Sequence, residues 1–358
     1  MKRLESKRFN PDMLVVARKS RGLTQKNIAD FLLMKQSHIS KIEAGMLNPP
    51  DEMILKLPSI LKYKTEFFFR NDEVFGIQSA IIYHRMRQSV SIKLLDKIEA
   101  QINIYRMNIQ RLMRSVDVGE CKIKEYDVDQ YGSPENIADV IRAHWLLPSG
   151  PIKNLTGIIE ASGGIVIPYD FGTKKIDGIS QWVPSLPPMF FINKNIPGDR
   201  WRFSLAHELG HIVMHRIPKP DMEKEAQRFA AQLLIPDRQI APSLQFITIE
   251  KLLDLKLYWK VSMQALLYKA QTLDLIKDRQ RYYWAEISKA GYKTKEPVDI
   301  PREEPTLLSQ MVSLHLSDLK YTMDDVCNML SIADENDFQQ LFNRKQRHLR
   351  LVPNPRLN

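Results

Sequence analysis

The sequence predicts an α+β protein: an all-helical N-terminal domain, a second domain of a small sheet plus helices, and a helical C-terminal region. Three observations carry this. Over the first third, apolar residues recur at helical spacing with hardly a strand signal between them. Short apolar runs at 163–169, 176–182 and 189–193 then have the length and flanking turn residues of strands. Directly after them Trp201, Leu205, Leu209 and Ile212 return to helical spacing, around the run His207-Glu208-Leu209-Gly210-His211.

The chain has 358 residues, of which 44% are hydrophobic and 26% charged. That length suggests two or three domains, and the composition is ordinary for globular chains. No run approaches the roughly 18 consecutive apolar residues of a membrane span. The basic start, Met1 to Arg8, is followed by no apolar core and does not read as a secretion signal. Cys121 and Cys327 stand far apart and form no disulfide framework, so a reducing cytoplasm is the expected location. The net charge of +10 is concentrated at one end. Residues 1–115 hold 21 Lys and Arg against 11 Asp and Glu, whereas residues 116–358 hold 31 of each. An acidic partner such as nucleic acid is therefore expected at the N-terminal third.

In that third, Met13, Val16 and Ala17 form one apolar helical face, broken by Gly22. A second helix starts at Thr24, an N-cap or first-turn residue, and runs to Leu32. A turn over Leu33 to Lys35 leads into a third, Gln36 to Glu43, with Ile39 and Ile42 inward and Gly45 in the position of a C′ glycine. Two short helices joined by a tight turn present a recognition helix in this way.

On these residues, RGLTQKNIADFLLMKQSHISKIEAG resembles the λ-repressor-like (XRE) DNA-binding domain, over about residues 10–70. The resemblance implies double-stranded operator DNA as partner. Gln25 would brace the backbone contact, and Gln36, Ser37, His38 and Lys41 would face the major groove. Leu33 departs from the family, which usually has glycine in the turn; a leucine there is unfavourable where φ is positive. From 84 to 115 a long amphipathic segment follows, with Ile92, Leu95, Ile102, Tyr105, Ile109 and Leu112 as its apolar row. It reads as a connecting helix and as the seam of a homodimer, because such domains usually act in pairs.

Helices are expected at 134–144 and 155–161 before the strands, and 198–200 form a turn that opens the histidine helix. In that helix His207 and His211, one turn apart, project from one face and can share a metal ion, with Glu208 beside them. A catalytic zinc usually has three protein ligands. The third is expected on the next helix, 223–235, where periodicity does not choose between Glu223 and Glu225.

RFSLAHELGHIVMH followed by EAQRFAAQLLIP resembles the ImmA/IrrE family of zinc metallopeptidases, across about residues 130–285. The resemblance implies a zincin-like fold, Zn²⁺ on His207, His211 and Glu225 with Glu223 as alternate, and Glu208 as general base in peptide hydrolysis. It also implies a protein substrate such as a helix-turn-helix repressor. His215, a further turn on, is read as supporting rather than ligating. Gly210 is expected to let another segment approach closely.

Residues 250–274 read as helical, and Pro297, Pro301 and Pro305 as a linker. Beyond it come three short helices at 307–316, 322–330 and 337–342, the second with a capping box from Thr322 to Asp325. The expected division is 1–72 for the helix-turn-helix domain, 73–118 for the connecting helix, 119–290 for the metallopeptidase domain and 291–358 for the C-terminal region. The whole reads as a cytoplasmic DNA-binding regulator with a zinc endopeptidase domain, without membrane contact, in a stress or mobile-element response. The alternative is a repressor or antitoxin-like regulator whose zinc domain senses or binds without turnover.

Overall fold

A computed structural model of the protein describes residues 8–76, 90–217, 219–333 and 338–339. Its contacts divide the chain into two compact units: Met1–Val74 with Ala100–Val116 and Ser309–Asn358, and Phe75–Glu99 with Asp117–Leu308.

The first unit is helical. Helices α1 (Pro11–Ser20), α2 (Gln25–Leu32), α3 (Gln36–Glu43) and α4 (Asp51–Leu61) are followed by a 3₁₀ turn at Thr65–Phe69. Asn10 caps α1, and Thr24 caps α2 through a reciprocal box with Asn27, as side-chain oxygens do for unpaired helical N–H groups. Met13, Leu14, Ile28, Ile39, Ile42, Leu57, Phe67 and Phe68 form the core, joined by Ile104 and Met107 of α5 (Ile92–Leu112). The turn residue Leu33 is left-handed, φ 55 and ψ 40, and 93% exposed.

Helix α5 is shorter than the expected segment; its first residues, with Arg85 and Arg87, lie outside the described ones. Of its apolar row, Ile92 is 52% exposed, whereas Leu95, Ile98, Ile102, Tyr105, Ile109 and Leu112 are at most 5% exposed within the chain itself, so those six offer no dimer seam. The helix Met323–Leu330 has the expected Thr322–Asp325 capping box. It is tied to the same unit. Arg70 donates to Met329 O and Ser331 Oγ, and Ile332 forms a bridge with Tyr63. Of the expected last helix only 338–339 are described, and the basic tail 344–350 lies outside.

In the second unit a single helical turn at Val128–Tyr131 is followed by α6 (Pro134–His144) and α7 (Leu155–Ala161). Strands β1 (Ile165–Tyr169), β2 (Gly178–Gln181) and β3 (Met189–Asn193) form one sheet of order β1-β3-β2. The central β3 is buried along its length, parallel to β1 with Ile165 opposite Met189, and antiparallel to β2 with Ser180 opposite Phe190. Helix α8 (Gly198–Met214) lies against β2 and β3 on one side and α9 (Met222–Leu234) on the other. Trp201, Leu205, Leu209, Phe229 and Leu233 fix that packing. Then come α10 (Ile249–Trp259), α11 (Met263–Thr272) and α12 (Gln280–Lys289). The first two are separated by Lys260 in a left-handed conformation, so the helical stretch expected at 250–274 is two helices.

The proline-marked segment is not a free linker. Glu303 accepts from Leu155 N at 3.1 Å and Thr156 N at 2.8 Å, the first amides of α7, and pairs with buried Arg202 of α8. Glu296 accepts from Met263 N, the first amide of α11, at 2.9 Å and pairs at 2.7 Å with buried Lys256, which also pairs with Asp199. Glu160 in turn accepts from Thr306 N and Leu307 N. Helix N-termini leave unpaired N–H groups and a positive dipole end, which these carboxylates satisfy. The second unit therefore runs to Leu308, past the expected boundary at 290.

Candidate metal centre

Helix α8 is buried on nearly every side. His207 and His211, four residues apart, share one face as the helical period requires. Their Nε2 atoms are 3.0 Å apart. Glu223, in the first turn of α9, brings Oε1 to 3.4 Å from His211 Nε2 and Oε2 to 3.7 Å from His207 Nε2. These three are the only group of metal-ligating side chains so gathered among the described residues. The side chains of His207 and Glu223 are 22% and 30% exposed, so the cluster opens to solvent on one side. The adjoining His207 and His211 hold the Glu223 carboxyl far below the usual carboxylate range.

The set fits zinc. Ligand atoms about 2.1 Å from a tetrahedral zinc ion lie about 3.4 Å from one another, and two imidazoles with one carboxylate form an ordinary catalytic donor set. The observed separations of 3.0, 3.4 and 3.7 Å bracket that spacing.

Glu225 is not brought into the cluster. Its Oε2 lies 2.9 Å from His215 Nε2, and the other ring nitrogen of His215 lies 3.0 Å from His211 Nδ1. Residues two apart stand about 200° apart around a helix, so Glu223 and Glu225 cannot both face the same point. Of the two expected candidates, the structure gathers the alternate, Glu223, with His207 and His211, and turns Glu225 to His215. Burial, above all, pushes His215 down to about 4, against the upward pull of Glu225.

The expected base, Glu208, projects toward the sheet. Its Oε2 accepts a 2.6 Å hydrogen bond from Ser180 Oγ on β2, and the residue is 8% exposed. It fits there because position 178 lacks a side chain: a Cβ on Gly178 would stand 2.8 Å from Glu208 Cγ. Sequence reasoning missed Ser180. Only the pairing of β2 with β3, not any local pattern, brings it over the histidine helix. Gly210 does allow the expected close approach, since a Cβ there would meet Phe229 at 3.0 Å and Ala226 Cα at 3.2 Å.

In the first unit, Ser37 and Lys41 are exposed on the side of α3 away from buried Ile39 and Ile42, with Gln36 and His38 exposed beside them. Gln36 Nε2 donates to Gln25 Oε1 at 2.8 Å, and Gln25 Nε2 donates to Glu43 Oε2 at 2.8 Å. Glu43 also takes a forked pair from Arg18. The five expected DNA-facing residues thus lie along one helix and the start of its neighbour. Part of the basic surplus is internal, however: Arg18, Arg70 and Arg106 are buried, and Arg111 pairs with Asp72 at 2.6 Å.

Residues 16–68 match the helix-turn-helix family. Residues 160–271 match peptidase family M78, the IrrE N-terminal-like domain, a segment that contains the sheet, the histidine pair and both glutamates of α9. No curated protein matches the chain. A helix-turn-helix DNA-binding domain is thus joined, in one chain, to a peptidase-family domain. The particular pairing is a λ-repressor-like module with an IrrE-like one. No described helix is long and apolar enough to cross a membrane.

Proposed function

We propose that the chain is a cytoplasmic DNA-binding regulator whose second unit holds Zn²⁺ on His207, His211 and Glu223 and hydrolyses a peptide bond in a protein, a helix-turn-helix repressor being the expected substrate class. The observation that carries this is the convergence of two imidazole Nε2 atoms and one carboxylate beside a helix whose Glu208 is held by the neighbouring strand. Zinc, when bound, supplies Lewis-acid chemistry, polarising a carbonyl and acidifying water. Glu208 takes the proton of the attacking water and returns it to the leaving amine. Ser180 fixes the carboxylate rotamer for that exchange. Strand β2 pairs only with β3 among the described residues, and its other edge suits an extended peptide added as a further strand.

The purified full chain is expected to hold one zinc. Glu208→Gln is expected to keep the metal and to lose cleavage of a regulator that accumulates intact in cells carrying that variant. Cleavage by Glu208→Gln at the wild-type rate would rule out Glu208 as the base. A second reading, a zinc sensor without turnover, has one observation in its favour: the Glu208 carboxylate is buried and already engaged by Ser180. In that case regulation survives in Glu208→Gln.

For the first unit, Gln25, Gln36, Ser37, His38 and Lys41 are proposed to contact operator DNA. Gln36→Ala should weaken specific binding by about 1–3 kcal/mol, and wild-type binding should weaken with rising salt as counterions are released. Affinity that does not change with salt would count against a phosphate-contacting face.

A further inference from the structure

His207 and His211 on α8 are followed, four residues on, by His215 at the helix C-cap, but only the first two gather with Glu223. His215 lies behind them, its side chain 1% exposed. Its Nδ1 lies 3.0 Å from His211 Nδ1 and its Nε2 lies 2.9 Å from Glu225 Oε2. These contacts determine where the protons sit. A carboxylate only accepts, so the proton of His215 is on Nε2, donated to Glu225. A neutral ring protonated there has a bare Nδ1, which must accept from His211 Nδ1–H. His211 is then protonated on Nδ1, and its Nε2 presents a lone pair.

That lone pair lies 3.0 Å from His207 Nε2 and 3.4 Å from a Glu223 oxygen. The opposite tautomer of His211 would turn an N–H toward the cluster. It would also require protons on both nitrogens of His215, a buried imidazolium.

We propose that Glu225 and His215 are positioning residues for the metal centre, locking His211 in the tautomer whose Nε2 is free to bind the ion. The inference rests on the reading of His207, His211 and Glu223 as ligands. It gives separate work to the two glutamates of α9: Glu223 faces the ion, and Glu225 orients the ligand through His215. A hydrogen bond to the far nitrogen also makes the ligating one more basic, and loss of such a partner typically weakens metal binding.

The test uses the full chain labelled with ¹⁵N in histidine, first stripped of metal and then titrated with zinc against a chromophoric chelator. Long-range ¹H–¹⁵N spectra of the wild type should show His211 protonated on Nδ1 alone. In Glu225→Gln and His215→Asn that single tautomer should give way to a mixture. Zinc affinity should fall by roughly 10–100-fold in each, with helical content unchanged. The double variant should lose no more than the weaker of the two, because both act through one chain of hydrogen bonds. A wild-type His211 protonated on Nε2 overturns the proposal whether or not any variant folds. So does wild-type affinity in both single variants when Glu223→Gln and His211→Gln lose zinc. If those two ligand variants keep wild-type affinity, the metal reading itself fails and the inference with it.

Discussion

Gly210 of the histidine helix lies so close to Ala226 that a methyl group at position 210 would stand 3.2 Å from the Ala226 Cα. The same methyl would meet Phe229 at 3.0 Å. Gly210→Ala gains about 1 kcal/mol of helix propensity, but wedging two packed helices apart costs about 1–3 kcal/mol. The net expectation is a modest loss of stability together with weaker zinc binding, since α9 carries Glu223 away from the histidines. Thermal melting and zinc titration of the variant measure both. An unchanged zinc affinity would mean that the helix spacing does not set the ligand geometry.

Glu135 of α6 takes a forked pair of 2.7 Å hydrogen bonds from Arg228 of α9. Burial pushes the Glu135 carboxyl up, but the bonds and charge of Arg228 outweigh it and hold the group below its ordinary value of 4.5. A carboxyl lowered on folding stabilises the native state above its unfolded pKa and loses that contribution as pH falls through and below it. The pair is half exposed, so its contribution at neutral pH is at most about 1 kcal/mol. Urea unfolding should show Arg228→Met to be less stable than wild type at pH 7, the gap closing as pH falls from about 5 toward 3. A gap that stays constant with pH would assign the loss to packing.

Leu33 holds φ 55 in the helix-turn-helix turn while 93% exposed. An L-residue in that region costs roughly 1–2 kcal/mol, offset in part by the smaller chain entropy of the unfolded leucine compared with glycine. With almost no burial to lose, Leu33→Gly should stabilise the unit by up to about 1 kcal/mol. Calorimetry would detect this as a higher melting temperature. A lower one would mean that the exposed leucine contributes contacts worth more than the strain.

Removing Glu303 leaves Arg202, which has 1% of its side chain exposed, without its carboxylate and frees the Leu155 and Thr156 amides. Breaking a buried ion pair from one side costs about 3–5 kcal/mol. Glu303→Ala should therefore lower the urea midpoint of the full chain markedly. A loss under about 1 kcal/mol would show that the segment is held by other contacts.

Much of this was legible in the sequence because the signals are local. The Thr24 cap, the inward Ile39 and Ile42, the helical row around His207 and His211, and the three strand runs each announce themselves within a few residues. What escaped depends on residues far apart in the chain. Glu223 and Glu225 are separated by rotation about α9, and only the packing of α9 on α8 shows which of them meets the histidines. Ser180 reaches Glu208 only through strand pairing. Glu296 and Glu303 read as linker charges until their helix amides are found more than thirty residues away. Arg18, Arg70 and Arg106 counted toward a DNA-facing surplus that burial removes from the surface.

The two units are nested along the chain: the helix-turn-helix unit takes its final pieces from beyond Ser309, after all of the peptidase-like unit. Order of synthesis thereby acquires meaning. The ribosome releases the recognition helix first, yet Lys64 and Arg70 wait for Asp324 and Ser331, made some 260 residues later. A chain whose synthesis stops early, or one clipped between Leu308 and Met323, carries a DNA-reading unit without the helix Met323–Leu330. Completion of the first unit therefore requires that the whole peptidase-like unit has already been synthesised.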